Sequence, residues 1–368
     1  MKKKVLLAFS GGLDTTYCAI YLAKEKGLEV HTAIVNTGGF SADELKKIEK
    51  HAYSLGAKKH CTLDETNAYY NECLRFLIYG NVLRGGVYPL SVSAERVFQS
   101  KAIALQAKKI SADFIAHGST GAGNDQVRFD VIFNILIPSI KVITPIRDMK
   151  LSREDEISFL KENGVKMNFE KAMYSINKGL WGTSVGGRET LTSDKALPEE
   201  AYPTQLTKKK QEELELGFDN GELVSVNGKK LKPVQAIQKV HEIAAPFAIG
   251  RDIHIGDTII GIKGRVGFEA SAPLIILKAH AMLEKHVLTK WQLHWKEQMG
   301  NWYGMMLHEG QFLDPVMRNV EVFMESTQKT VTGTVKILLA PYRFSMIGIT
   351  SKYDLMSSKF GKYGEMNN

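Results

Sequence analysis

The chain opens on a continuous apolar run, residues 5–9, the pattern of a strand buried on both faces of a parallel sheet. Leu13, Tyr17, Ile20 and Tyr21 follow at helical spacing. Lys24-Glu25-Lys26-Gly27 then places lysines in a last turn and a glycine after it, which predicts a helix that stops there. Residues 30–35 predict a second strand. Ser41 and Glu44 form a capping box for a helix carrying Leu45, Ile48, Ala52 and Leu55, which ends at Gly56. Residues 114–116 and 142–143 read as later strands, and Ser152 as the cap of a helix that stops at Asn163-Gly164. Strands alternating with helices predict an α/β fold, a doubly wound parallel sheet. Ligands of such sheets sit beyond the carboxyl ends of the strands.

The second half has a different pattern. Residues 223–226 followed by Asn227-Gly228 predict a hairpin. Residues 257–262 read as a strand, residues 273–310 as helices, and residues 330–339 as a late strand with partial alternation. An α+β domain follows from this, with its boundary within residues 165–172. The expected organisation is a nucleotide-binding domain over residues 1–168, a second domain over 169–345, and a C-terminal tail over 346–368. Residues 188–212, rich in charge, Pro and Thr, read as a surface excursion. No internal repeat is visible.

Composition narrows the class without defining it. The 368 residues are 44% hydrophobic and 24% charged, an ordinary globular mixture with room for two domains. The net charge of +8 is scattered, its densest runs being Lys2–Lys4 and Lys208–Lys210, which reads as solvated surface rather than a nucleic-acid stripe. The basic start precedes only five apolar residues, short of a signal peptide, and no run approaches the roughly 18–20 residues of a membrane span. The expectation is a soluble cytoplasmic protein with neither membrane nor nucleic acid as a partner. Three cysteines without paired spacing fit a reducing compartment, and Cys18 reads as packed. Trp291 and Trp295 at i, i+4 are expected to pack on a core or a subunit face, and Met305-Met306 to pack likewise. His280, His286 and His294 lack metal-ligand spacing.

The segment Ser10-Gly11-Gly12-Leu13-Asp14-Thr15-Thr16 joins the first strand to the first helix. Two glycines let the backbone turn tightly and approach a polyanion, and the helix N-terminus offers unpaired N–H groups. Ser10, Thr15 and Thr16 add hydroxyls. Asp14 disfavours a bare phosphate, so Mg²⁺ bridging phosphates is expected beside it. The GxxxxGK[ST] pattern of P-loop enzymes is absent. The loop resembles the pyrophosphate loop of the N-type ATP pyrophosphatases. That resemblance implies ATP split between its α- and β-phosphates, with the loop holding the departing pyrophosphate.

A second loop, residues 117–129, mixes three glycines with acids, amides and hydroxyls, a composition able to wrap a small zwitterion. Asp125 suits an ammonium, Arg128 forks onto a carboxylate, and Asn124 both donates and accepts. This segment resembles the signature of the argininosuccinate synthase family, departing at Ala122, where the family has lysine, and at Asp130, where it has glutamate. The likeness continues through Tyr88, Ser93 and Arg96, residues 141–145, Tyr174-Ser175 and residues 180–184. It returns weakly at Gly250-Arg251 and residues 261–265. The resemblance implies that a citrulline ureido oxygen attacks the α-phosphate of ATP, releasing pyrophosphate. The amino group of aspartate then displaces AMP. It implies ATP contacts from Ala8, Phe9, Ser10, Gly11, Gly12, Leu13, Asp14, Thr15, Thr16, Val35, His117 and Gly118. Aspartate would be held by Thr120, Asn124 and Asp125, and citrulline by Tyr88, Ser93, Asn124, Arg128, Ser175 and Ser184. No dedicated nucleophile is implied; Asp14, Thr120, Asn124, Asp125 and Arg128 position the reactants.

Further departures bear on the substrate. Ala122 removes a positive charge near the phosphates, and Asn177 and Gly179 stand where the family has Asp and Asn. Gly256 and Phe268 align with a glutamate that pairs the α-ammonium of citrulline and a tyrosine twelve residues later. Burying an ammonium without a carboxylate is costly. An N-acylated citrulline, such as N-acetyl- or N-succinyl-citrulline, has no such ammonium and needs room instead. Asp257 or Glu269 as a substitute partner for a free ammonium is the alternative. The resemblance also implies a homotetramer, although the chain ends before a C-terminal segment expected to reach over a neighbouring subunit. Two other readings are a tRNA-modifying ATP pyrophosphatase, which requires a reactive cysteine pair, and a protein that binds ATP without turnover, against which the second loop argues.

Overall fold

A computed structural model describes residues 2–121, 123–167 and 174–357. Strands β1 (Lys4–Ala8), β2 (Glu29–Asn36), β3 (Lys59–Asp64), β4 (Phe114–Ala116) and β5 (Lys141–Ile143) form a parallel sheet in the order β3-β2-β1-β4-β5. Helices α1 (Leu13–Lys24) and α2 (Ala42–Ser54) follow the first two strands. A broken helix comprises α3 (Thr66–Tyr69), a π turn (Tyr70–Leu74) and α4 (Arg75–Tyr79). Then come α5 (Ser91–Lys109), α6 (Asp125–Leu136), α7 (Pro145–Met149) and α8 (Arg153–Glu162). The Ser41–Glu44 capping box is present, and Ser152 caps α8 reciprocally with Asp155. Val5 and Leu7 pack under one face of the sheet with Tyr17, Ile20 and Leu160, while Leu6, Ala33 and Val35 pack over the other with Ile103, Phe129 and Phe133. Both faces are covered, as the unbroken apolar run of β1 requires.

Two antiparallel sheets follow. One runs β11-β12-β7-β6, from β6 (Ser175–Gly179), β7 (Gly182–Gly186), β11 (Arg251–Asp257) and β12 (Lys263–Glu269). The other runs β10-β9-β8-β13-β14, from β8 (Glu212–Asp219), β9 (Glu222–Val226), β10 (Lys229–Lys230), β13 (Gly333–Ala340) and β14 (Arg343–Thr350). Helices α9 (Pro233–Ala244), α10 (Ser271–Val287), α11 (Lys290–His308) and α12 (Pro315–Ser326) complete this half. The fold is therefore the expected α/β doubly wound sheet followed by an α+β domain.

Several local expectations change. Of the strand expected over residues 257–262, only Asp257 lies in one, as the end of β11; residues 258–262 turn into β12, and there the Thr258 amide donates to the Ile262 carbonyl at 2.8 Å. Its isoleucines made it look like a strand, yet Ile260 and Ile262 are exposed. The sheet continues past residue 345, where a tail was expected, because β14 pairs along β13 as far as Thr350. The 188–212 excursion is partly anchored: Leu197 and Ala201 are buried against Val185. Trp291 and Trp295 do not enter the core; they are 64% and 56% exposed on α11. His280 belongs to a buried polar network in which Lys296 pairs with Glu284 at 2.8 Å. No helix among the described residues is long and apolar enough to cross a membrane.

Candidate active site

The loop after β1 is built by one special backbone position and a local hydroxyl set. Gly11 has φ +77°, a conformation that costs a side-chain-bearing residue about 1–2 kcal/mol. The Ser10 hydroxyl accepts from the Gly12 amide at 3.4 Å and lies 3.3 Å from the Thr15 hydroxyl. Ser10 and Gly12 are exposed and Asp14 and Thr15 partly so, which leaves them available to a ligand. Ala8 ends β1 half-buried, and Phe9, Leu13 and Val35 are buried beneath the loop, so their side chains form its floor. Thr16 is fully buried, its hydroxyl 3.0 Å from His51 Nε2, and ties the loop to α2.

The loop after β4 comes directly against it. A Cβ at Gly118 would stand 3.1 Å from the Asp14 Cβ, so glycine here is what lets the two loops touch. Thr120 is exposed at the loop's rim. The Ser119 amide donates to His117 Nδ1 at 3.2 Å, so His117 Nε2 carries the proton facing Asp130, 3.5 Å away. Asp130 also takes a 2.6 Å ion pair from Arg147, a structural role compatible with its shorter side chain. Ala122 lies outside the described residues, so the lost positive charge expected there has no structural account.

The polar residues of the second loop continue onto α6. Arg96 reaches Asp125 at 2.9 Å, Gln99 at 2.7 Å and Asn177 at 2.6 Å. Burial works to raise the Asp125 carboxyl, but Arg96 and then Arg128 outweigh it and hold it below the ordinary carboxylate value. Arg128, expected to fork onto a substrate carboxylate, is 3% exposed and already engaged. It donates to the His308 carbonyl at 2.9 Å and 2.8 Å, to Asp125 at 3.1 Å and to the Ser93 hydroxyl at 2.9 Å. Arg128 and Ser93 thus brace this side of the site. Asn124 accepts from the Ile259 amide at 2.8 Å, which fastens the β11–β12 turn over the second loop.

Sheet register gathers the remaining predicted residues. Side chains on directly paired antiparallel residues share a face. Ser175 pairs with Gly186, Asn177 with Ser184, Ser184 with Phe268, His254 with Val266, and Gly256 with Gly264. Ser175, Asn177, Ser184, Phe268, His254 and Gly256 therefore lie on one face, the face that Arg96 contacts through Asn177. Ser175 is exposed and Ser184 buried, the latter 3.4 Å from Asn177 Nδ2. Gly179 is required by packing: a Cβ there would stand 2.8 Å from a carboxylate oxygen of buried Glu95. Tyr88 is buried, its ring 5.3 Å from His254 and 5.2 Å from Phe268. Glu269, one candidate for a substitute carboxylate, is buried and paired with Arg251 at 3.0 Å. Asp257, the other, is paired with Lys263 at 2.6 Å.

Sequence reading overlooked His254, His308 and Glu95. No motif or spacing marks them, and each acquires its surroundings from distant segments. The three cysteines do not supply a reactive pair: burial pushes the Cys18 and Cys73 thiols well up and raises Cys61.

Two touching loops at the carboxyl end of a parallel sheet, faced by the polar side of an antiparallel sheet, lie where ligands of doubly wound α/β folds bind. The family description Arginosuccinate synthase N-terminal HUP domain matches residues 4–166, and Arginosuccinate synthase C-terminal domain matches residues 174–368. The argininosuccinate synthase of Methanocaldococcus jannaschii is 37% identical over 99% of this chain and 93% of its own length. That of Sulfurisphaera tokodaii is 34% identical over 98% and 93%, and that of Dictyoglomus thermophilum 35% over 98% and 91%. The chain belongs to the argininosuccinate synthase family, ligases that form C–N bonds.

Proposed function

We propose that this protein uses ATP to join an N-acylated citrulline to aspartate, as a step of arginine biosynthesis. The ureido oxygen attacks the α-phosphate of ATP, a P–O bond forms, and the bond to the β-phosphate breaks to release pyrophosphate. The aspartate amine then attacks the activated ureido carbon; AMP leaves with the bonding pair, and the amine gives up its proton to solvent. The observation that carries the acyl reading is the wall around Gly256, where a free α-ammonium would meet an imidazole instead of a carboxylate. Asp257 and Glu269 are each already paired with a cation.

This chain's own residues orient and hold. The Ser10–Thr16 loop faces the departing phosphates with N–H groups and hydroxyls. The Asp14 carboxylate suits Mg²⁺, a hard cation that takes oxygen ligands. Phosphate oxygens of ATP would share such an ion with Asp14. Mg²⁺ so bound would draw charge from the phosphates. Asn124, Asp125 and Thr120 hold aspartate, while Tyr88, Ser175 and Ser184 line the citrulline side with Ser93 and Arg128 braced behind. A cytoplasmic homotetramer completes the reading, and the exposed Trp291, Trp295 and Trp302 of α11 are apolar surface suited to subunit packing.

The test is to supply ATP, aspartate and Mg²⁺ with citrulline, N-acetylcitrulline or N-succinylcitrulline in turn, and to follow AMP and pyrophosphate. The expected result is aspartate-dependent AMP release, faster with an acylated substrate. Formation of ADP, or no nucleotide cleavage with any of the three, overturns the reaction; clear preference for free citrulline overturns the acyl reading alone.

A further inference from the structure

Two imidazoles and a guanidinium lie along the wall beside Tyr88, and Asp257, the acid that feels Arg84, is paired with Lys263 at 2.6 Å. A Cβ on Gly256 would stand 2.7 Å from His254 Nε2. The ring of His254 therefore fills the space into which a side chain at 256 would project. On its other side the turn before Tyr88 closes in: a Cβ at Gly85 would stand 3.4 Å from His254 Cε1, and the preceding residue is Arg84. That turn is fastened by the Tyr88 amide donating to the Arg84 carbonyl at 3.0 Å and the Arg84 amide to the Tyr88 carbonyl at 2.8 Å. Among the described residues no carboxylate lies within ion-pair distance of Arg84, whose guanidinium, after Lys263, still lowers Asp257, and the His254 ring, stacked on Tyr88, has no side-chain hydrogen bond.

His308 supplies the third group. It is 6% exposed, and Arg128 Nη2 lies 3.2 Å from its Nδ1. A guanidinium only donates, so Nδ1 accepts and Nε2 carries the hydrogen. That Nε2 is buried without a hydrogen-bond partner. The Asp257 carbonyl favours a proton on the ring but does not form a hydrogen bond with Nε2. Burial first, then Arg128, Arg84 and His254, push His308 down to about 3; burial and then Arg84 lower His254. Both rings are thus neutral, and of the two guanidinium groups that act on His308, Arg128 is paired with Asp125 at 3.1 Å while Arg84 has no carboxylate within ion-pair distance among the described residues. A buried donor without an acceptor is costly, and a bound acceptor recovers that cost.

Resting on the acyl-citrulline reading, we infer that Arg84, His254 and His308 form a carboxylate subsite, and that the acyl group of the substrate is a dicarboxylic half-amide whose free carboxylate binds there. The carboxylate accepts from the Arg84 guanidinium and from the imidazole N–H groups, and Tyr88 with Phe268 flank its methylene chain. A plain acetyl group would leave all three donors unanswered.

The probes are N-succinylcitrulline, N-acetylcitrulline and citrulline with the full-length protein, compared by kcat/KM. N-succinylcitrulline is expected to exceed N-acetylcitrulline by roughly tenfold or more, the worth of one hydrogen bond to a charged group. Arg84→Ala should collapse that ratio toward one, and Arg84→Lys should restore part of it. Circular dichroism on each variant checks the fold, and the ratio within one variant is insensitive to the amount of folded enzyme. Equal use of the two acylated substrates overturns the carboxylate subsite and leaves the acyl reading intact. Preference for free citrulline overturns both, and a succinyl preference that survives Arg84→Ala overturns the role of Arg84.

Discussion

The Nε2 atom of His254 lies 2.7 Å from the point where a Cβ on Gly256 would stand, so a side chain at 256 would require the imidazole to move. The Gly256→Glu change, made together with His254→Ala to open the space, should place a carboxylate beside the substrate's α-nitrogen. The expected outcome is a shift in the kcat/KM ratio of roughly tenfold or more toward free citrulline, read from steady-state rates with free and acylated substrate. An unchanged ratio would show that this wall does not sense the α-nitrogen.

The buried Glu156 carboxyl on α8 predicts a pH dependence of stability. Burial, and then the neighbouring Asp14 of the phosphate loop, push it up to about 9 from an ordinary 4.5. The folded chain keeps this proton through a range in which the unfolded chain has lost it. This contribution to stability is therefore complete below pH 4.5 and is lost as pH rises towards about 9. One proton sets a ceiling of about 1.4 kcal/mol per pH unit. Urea midpoints across that range should fall for the native chain, and Glu156→Gln should flatten the slope.

Arg128 joins α6 to the end of α11 through Asp125, Ser93 and the His308 carbonyl. Arg128→Met keeps the volume but strands buried partners. The expected cost is about 3–5 kcal/mol, measured by urea denaturation. Arg128→Lys restores charge without the fork and should recover only part of the loss. A cost within about 0.5 kcal/mol for Arg128→Met, the range of ordinary surface changes, would sink this account.

Lys296 tests the second domain independently of the site. Its ammonium meets Glu284 at 2.8 Å and the Tyr79 carbonyl at 2.6 Å, and Glu284 is fully buried. Lys296→Met leaves an uncompensated carboxylate and should destabilise by about 3–5 kcal/mol. Adding Glu284→Gln should recover part of that, and the double-mutant cycle reports the coupling.

On the proposed reading, in which the two loops hold the nucleotide, their touching at Gly118 sets the room for it. A side chain there would press on Asp14, whose backbone carbon would lie 3.2 Å from the new Cβ. Gly118→Val should raise KM for ATP by roughly tenfold or more while Tm changes little, because the loops are at the surface of the sheet rather than in its core. A KM for ATP equal to that of the native chain would remove Gly118 from the site.

What could be read along the chain was what depends on neighbours in sequence. The apolar run of β1, the glycine turn after it and the capping boxes at Ser41 and Ser152 are local patterns, and each formed where expected. The apolar 258–262 segment misled because a strand and an apolar turn are alike without knowledge of their partner; Asn124, 135 residues from Ile259, is what holds the turn.

The sequence by itself determined an α/β domain, a second α+β domain and the family to which both belong. Only tertiary structure decided which side chains the pocket presents. His308 meets Arg128 across 180 residues, and Gly256 derives its meaning from a ring two residues away on the same face of a strand. Turns and caps follow from bonds within a few residues. The charge and shape of a pocket follow from side chains brought together only when the two domains close their apolar surfaces over a shared core.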